Sequence, residues 1–203
     1  LSDWSSDVCS SDLFTIVLNA QPTADVTIGV SSSDPTEGTV SPTSVTFTSA
    51  NWSTPQTVTV TGADDSLDDG DIAYTVLTAA ATSSDGAYNG VNAADVAATN
   101  TDNDASGITV TPTTGLVTTE AGGTATFTIV LNAQPTADVT IGVSASDPTE
   151  GTVSPTSVTF TSANWSTPQT VTVTGADDSL DDGDIAYTVL TAAATSSDGA
   201  YNS

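Results

Sequence analysis

The chain has 203 residues, 25 of them Asp or Glu, with no Lys, Arg or His, so its formal charge at neutral pH is −25. Lacking any basic side chain, it cannot neutralise phosphates or bind anionic membrane surfaces, nor work through a His base, a Lys Schiff base or an Arg clamp. Hydrophobic residues at 37 % suffice for one or two small cores, and the single cysteine, Cys9, leaves no intrachain disulfide. No stretch approaches the ~18–20 apolar residues of a membrane-spanning helix, so no membrane insertion is expected. A chain this acidic repels itself on folding, which makes a cation the first partner to consider.

Residues 1–13 read LSDWSSDVCSSDL, with Ser-Ser-Asp twice, and resemble a translated sequencing-adapter scar. They have neither the basic n-region and apolar run of a signal peptide nor the Arg of a transit peptide. They and Cys9 are left out of the functional reading. From Phe14 a unit begins that recurs at Phe127: residues 14–89 align with 127–202 without a gap, differing only at Ser32 against Ala145. The expected division is therefore 14–104 as a first repeat lacking its N-terminal strands and 105–203 as a second lacking its C-terminal strand, both copies truncated.

The pattern is β throughout. Residues 107–111 (GITVT) read as a short strand, and Ala125, Phe127, Ile129 and Leu131 share one face of the next. Val139, Ile141 and Val143 alternate likewise, then Val158 with Phe160, Val171 with Val173, and Tyr187 with Val189 in a longer run over 185–194. Gly, Pro, Asn and Asp punctuate these runs. Only 162–165 (SANW) gives a helix-like cue, too short for more than one turn. With a closing strand near 94–101, a complete repeat has about seven strands in about 100 residues. The predicted class is all-β: tandem immunoglobulin-like antiparallel β-sandwiches. Trp52 and Trp165 are expected at the core edge. The Asn-X-Ser triplets at Asn51 and Asn164 match a glycosylation acceptor, read here as coincidence.

The carboxylates cluster. Asp64, Asp65, Asp68, Asp69 and Asp71 fall in GADDSLDDGD, repeated as Asp177, Asp178, Asp181, Asp182 and Asp184, and Asp102-Asn103-Asp104 marks the junction between copies. Five carboxylates in eight residues repel one another unless a cation lies among them, and calcium takes six to eight oxygen ligands from such loops. A solvated turn is the alternative. An EF-hand does not fit: around Gly70 its third position would be Leu67, and at the junction its twelfth would be Thr113 in place of Glu. Ligands would have to converge from several loops.

Glu120-Ala-Gly-Gly-Thr-Ala-Thr-Phe127, Gly62-Ala-Asp-Asp65 followed by Asp69-Gly-Asp71, and Asn100-Thr-Asp-Asn-Asp104 together resemble the Calx-beta domain over most of the unit. The resemblance implies calcium at one end of a seven-stranded sandwich. Carried over, it implies Asp64, Asp65, Asp69, Asp102 and Asp104 in the first copy, with Asn103 through its backbone. In the second it implies Glu120, Asp177, Asp178 and Asp182. Asp34, Asp147, Asp71 and Asp184 are secondary candidates. Ile72 and Ile185 stand where that family often has Glu, and Asn103 replaces an acid. The first copy lacks the early Glu and the second lacks the triplet, so calcium affinity is expected to be weak, on the order of 10⁻⁴–10⁻³ M.

These features predict a calcium-binding structural spacer repeat of a large secreted or cell-surface bacterial protein, adhesion-related. Its partners would be calcium and neighbouring repeats, with any surface glycan or protein gripped elsewhere in the parent. Export would place it outside the cell, where calcium is available. The alternative is a carbohydrate- or protein-binding sandwich without metal dependence, which would need Trp52 and Trp165 exposed as a platform. An enzyme is not expected; only a two-carboxylate glycosidase could run without basic residues.

Overall fold

The computed structural model describes residues 11–180 and 183–202; Cys9, Asp181 and Asp182 lie outside them. The protein is all-β, and its sheets are antiparallel throughout. It divides into two compact units. The first runs up to Asp65 and resumes over Asp69–Asn103; the second comprises Ser66–Asp68 and the chain from Asp104 onward.

In the first unit the strands are β1 (Ser11–Ile16), β2 (Val26–Ser32), β3 (Gly38–Ser41), β4 (Ser44–Phe47), β5 (Gln56–Gly62), β6 (Ile72–Thr78), β7 (Thr82–Ser83) and β8 (Val96–Asn100). One sheet has the order β1-β5-β3; the other runs β4-β2-β6-β8, with β7 pairing β2. Period-two alternation decides which side chains go inside. Val26, Ile28 and Val30 of β2 are buried while Thr27 turns outward, where its hydroxyl meets that of Thr46 at 3.0 Å. Val45, Phe47, Val58, Val60, Tyr74 and Val76 join them in the core, with Trp52, Tyr88, Val96 and Ala98 packed around it. Each fully buried Val or Ile contributes roughly 1.5–3 kcal/mol relative to exposure.

The second unit contains β9 (Ile108–Thr111), β10 (Thr124–Leu131), β11 (Val139–Ala145), β12 (Gly151–Ser154), β13 (Ser157–Phe160), β14 (Gln169–Gly175) and β15 (Val189–Thr191). Its sheets are β12-β14-β10-β9 and β13-β11-β15. Phe127, Ile129, Val139, Ile141, Phe160 and Val171 form the centre of its core, and Trp165 and Tyr187 pack against it. Both units are thus sandwiches of two sheets over one apolar layer. Residues 161–167 make a turn, not a helix.

Two local findings differ from the sequence reading. β1 begins at Ser11, inside the adapter-like segment: Ser11, Asp12 and Leu13 pair with Thr61, Val60 and Thr59, the register that Thr124, Ala125 and Thr126 keep with Thr174, Val173 and Thr172. Ladder bonds are made by backbone, so Ser-Asp-Leu fills the register that Thr-Ala-Thr fills in the second copy, yet Leu13 is left 66 % exposed. In the second unit, the run over 185–194 is a strand only at Val189–Thr191. In the first, Val76, Leu77 and Thr78 pair with β2, but Ile72 through Thr75 have their ladder with β8. Among the described residues β15 pairs with β11 alone, which matches the part of β6 that needs no β8.

Candidate functional site

The acidic loop after β5 and the segment after β8 meet at one end of the first unit. β5 ends at Gly62, where Ala63 N–H donates to the Glu37 carbonyl at 2.9 Å. β8 ends at Asn100, whose side-chain amide donates to the Ala63 carbonyl at 2.7 Å and to the Glu37 carboxylate at 3.2 Å. A Cβ on Gly62 would crowd the Asn100 side-chain oxygen, so glycine permits this close approach. With the two strand ends pinned, the loops beyond them converge. The Asp102 carboxylate accepts from Gly70 N–H at 2.7 Å, and Asp102 N–H donates to the Asp71 carboxylate at 3.1 Å. Asn103 donates its side-chain amide to Asp64 at 3.3 Å. Gly70 has φ of +77°, a conformation that favours glycine.

Asp64, Asp71, Asp102 and Asn103 are therefore brought together from 31 to 39 positions apart in sequence. Asp65 and Asp69 are exposed on the same loop, and Asp104 begins the next segment, within the second unit. Asp68 also belongs to the second unit, where its carboxylate accepts from Ser106 N–H at 2.7 Å. That bond, with a contribution from the Ser106 side chain, holds Asp68 below the usual carboxylate range.

In the second unit Asp177, Asp178 and Asp184 are exposed, with Asp178 accepting from Leu180 N–H at 2.7 Å. Glu120 is exposed beside the turn at Gly122, and Asp182 lies outside the described residues. Asp34 and Asp147 serve their own turns. Asp34 accepts from the Thr36 hydroxyl at 2.6 Å and its N–H at 3.1 Å, and Asp147 is bonded to Thr149 in the same way. The threonine bonds hold both carboxyls below their usual range.

The donor set is all oxygen, the chemistry a hard cation takes. Convergence is what limits it: among the described residues no three carboxylates, imidazoles or thiols stand together closely enough to hold a metal ion. Much of the carboxylate capacity is directed at backbone N–H groups. The chemistry suits calcium, while a complete coordination shell would require side chains of the 64–71 loop and Asp102 to turn toward a common point.

Several polar residues have structural work that the sequence reading did not assign to them. Glu37 and Asn100 join the strand ends beneath the acidic loops. Asp85 and its equivalent Asp198 latch a distant loop, accepting from Thr23 N–H at 2.8 Å and Thr136 N–H at 2.7 Å respectively. Tyr88 and Tyr201 do the same with their hydroxyls, donating to the Ala20 and Ala133 carbonyls at 2.6 and 2.7 Å. The shared spacing of Asp-Gly-Ala-Tyr in both copies carried this signal, but only as a turn. Trp52 and Trp165 are half-buried against their cores and do not form an exposed platform.

No protein-family model matches the chain, and no curated protein sequence does. Among the described residues no helix is long and apolar enough to cross a membrane.

Proposed function

We propose that the chain is a non-catalytic spacer from a large secreted or cell-surface protein, bacterial and adhesion-related, in which calcium bound at the acidic loops stiffens a β-sandwich repeat. The observation that carries the reading is the meeting of the 64–71 loop with Asp102 and Asn103 at the end of the first unit. A chain without one basic side chain gathers carboxylates there that only an added cation can neutralise. Asp64, Asp65, Asp69, Asp71 and Asp102 would hold the ion, with Asn103 alongside. In the second unit the corresponding acids are Asp177, Asp178, Asp182 and Asp184, with Glu120. Half-buried indoles weigh against a glycan platform.

The test is thermal unfolding in calcium, in chelator, and in sodium at matched ionic strength. Screening of self-repulsion predicts equal gains from both salts. Specific binding predicts that millimolar calcium raises Tm well beyond sodium, and that alanine at Asp64, Asp65, Asp177 and Asp178 removes the difference. Equal effects of the two salts would reject calcium as the ligand.

A further inference from the structure

The two copies differ at one aligned residue, Ser32 against Ala145, and each stands two positions before an Asp-Pro bond. Those bonds, Asp34-Pro35 and Asp147-Pro148, lie in the turns that lead from β2 to β3 and from β11 to β12. In both turns the proline is exposed and the aspartate half-buried. An Asp-Pro bond is readily broken from within, for two chemical reasons. The carboxylate is one five-membered ring away from its own carbonyl carbon, and the prolyl nitrogen, which carries no hydrogen, leaves as a secondary amine.

The Asp34 carbonyl oxygen is held by three donors. The Ser32 hydroxyl donates to it at 2.8 Å, Gly38 N–H at 3.1 Å and Glu37 N–H at 3.3 Å. Ser32 is itself fixed, because its hydroxyl accepts from Asp34 N–H at 3.1 Å. Attack by the carboxylate would turn this carbonyl oxygen into an oxyanion, and donors already aimed at it stabilise that state more than the ground state. Both Thr36 bonds to the carboxylate fall on Oδ1, so Oδ2 is the attacking atom. In the second copy Thr149 binds Asp147 in the same way, and the Asp147 carbonyl accepts from Gly151 N–H at 3.2 Å. Ala145 offers it no hydroxyl.

We propose that Asp34-Pro35 is a site of self-cleavage, at which the Asp34 carboxylate breaks its own peptide bond with Ser32 as an oxyanion donor, and that Asp147-Pro148 is its slow counterpart. The step balances as a hydrolysis. Asp34 Oδ2 forms a bond to the Asp34 carbonyl carbon. The bond from that carbon to Pro35 N breaks, and the nitrogen keeps the electron pair and takes a proton from solvent. One water then opens the cyclic anhydride, leaving two carboxylates on Asp34, a free amine on Pro35 and Ser32 unchanged. The cut falls between β2 and β3. The piece ending at Asp34 would stay attached through the ladders of β1 with β5 and of β2 with β4 and β6. The unit would be nicked without being dismantled.

The experiment keeps the full chain at 37 °C for weeks in mildly acidic buffer, where carboxylates stay ionised, and follows it by intact-mass spectrometry. Fragments 1–34 and 35–203 should accumulate about tenfold faster than 1–147 and 148–203, less than a buried oxyanion donor gives because the turn is open to water. In concentrated urea the two rates should converge. Ser32→Ala should bring Asp34-Pro35 down to the slow rate, and Ala145→Ser should raise Asp147-Pro148 toward the fast one. Asp34→Ala should leave the first bond intact. An Asp34-Pro35 bond that stays whole in the native chain would overturn the proposal, as would equal rates at the two bonds or a preference that persists in urea. Cleavage at this position in the Asp34→Ala chain would overturn it too, naming a protease as the agent.

Discussion

Residues 72–78 and 185–191 are identical in sequence, yet the first stretch is a strand along its whole length and the second only over its last three residues. Local propensity is the same for both, so it cannot be the cause. The difference is the neighbour: β8 gives Ile72 through Thr75 their ladder, while among the described residues β15 pairs only with β11. Half of this strand is specified by its own sequence and by β2 or β11, half by a segment more than twenty residues later. The lesson also covers β1, where Ser11, Asp12 and Leu13 join a ladder because β5 offers one.

The comparison can be broken first where the units should be equal. Phe47 and Phe160 are both 0 % exposed, so Phe47→Ala and Phe160→Ala should each cost about 3–5 kcal/mol in their own unit. Denaturant unfolding followed by Trp52 or Trp165 alone, in a background without the other tryptophans, would measure each. Unequal losses would mean that the cores differ more than their edges.

The next pair should be unequal. Val76→Ala removes a fully buried side chain and should cost about 1.5–3 kcal/mol, whereas Val189→Ala, at a half-buried position, should cost less than half of that. The same tryptophan readouts decide it. If the two losses match, Val189 is as fully buried in solution as Val76.

The smallest effect concerns the latches. Asp198 is buried and Asp85 half-exposed, although both copies share the motif. Burial pushes the Asp198 carboxyl up, but bonds from the Thr136 and Ala200 N–H groups outweigh it and hold the group below its ordinary 3.8. Hydrogen bonds from Thr23 and Ala87 lower Asp85 likewise. A depressed folded pKa adds stability above the unfolded value that is lost as pH falls through the folded one. Asp198→Asn should therefore lower Tm at pH 7, with the gap to the native chain closing below about pH 4. Asp85→Asn should follow the same course with a smaller shift. A gap that persists unchanged at pH 2 would assign the latch to packing.

Much of the architecture was legible in the order of residues. Val26, Ile28 and Val30, or Val139, Ile141 and Val143, alternate with Thr and Gly, and period two puts them on one buried face without further information. The grouping of the acids into 64–71 and 102–104 was legible too, as was the repeat. Less visible was what those acids do. Asp34 and Asp147 are satisfied within their turns, Asp85 and Asp198 hold loops about 62 positions away, and Asp68 is bonded to Ser106.

The sequence by itself determined the all-β class, the strand faces, the two cores and the overall charge, because these follow from periodicity and composition within short windows. Tertiary structure alone decided which carboxylates meet and where β6 and β15 begin. Those outcomes depend on backbone hydrogen bonds and desolvation supplied by partners distant in the chain, and identical residues given different partners take different structures.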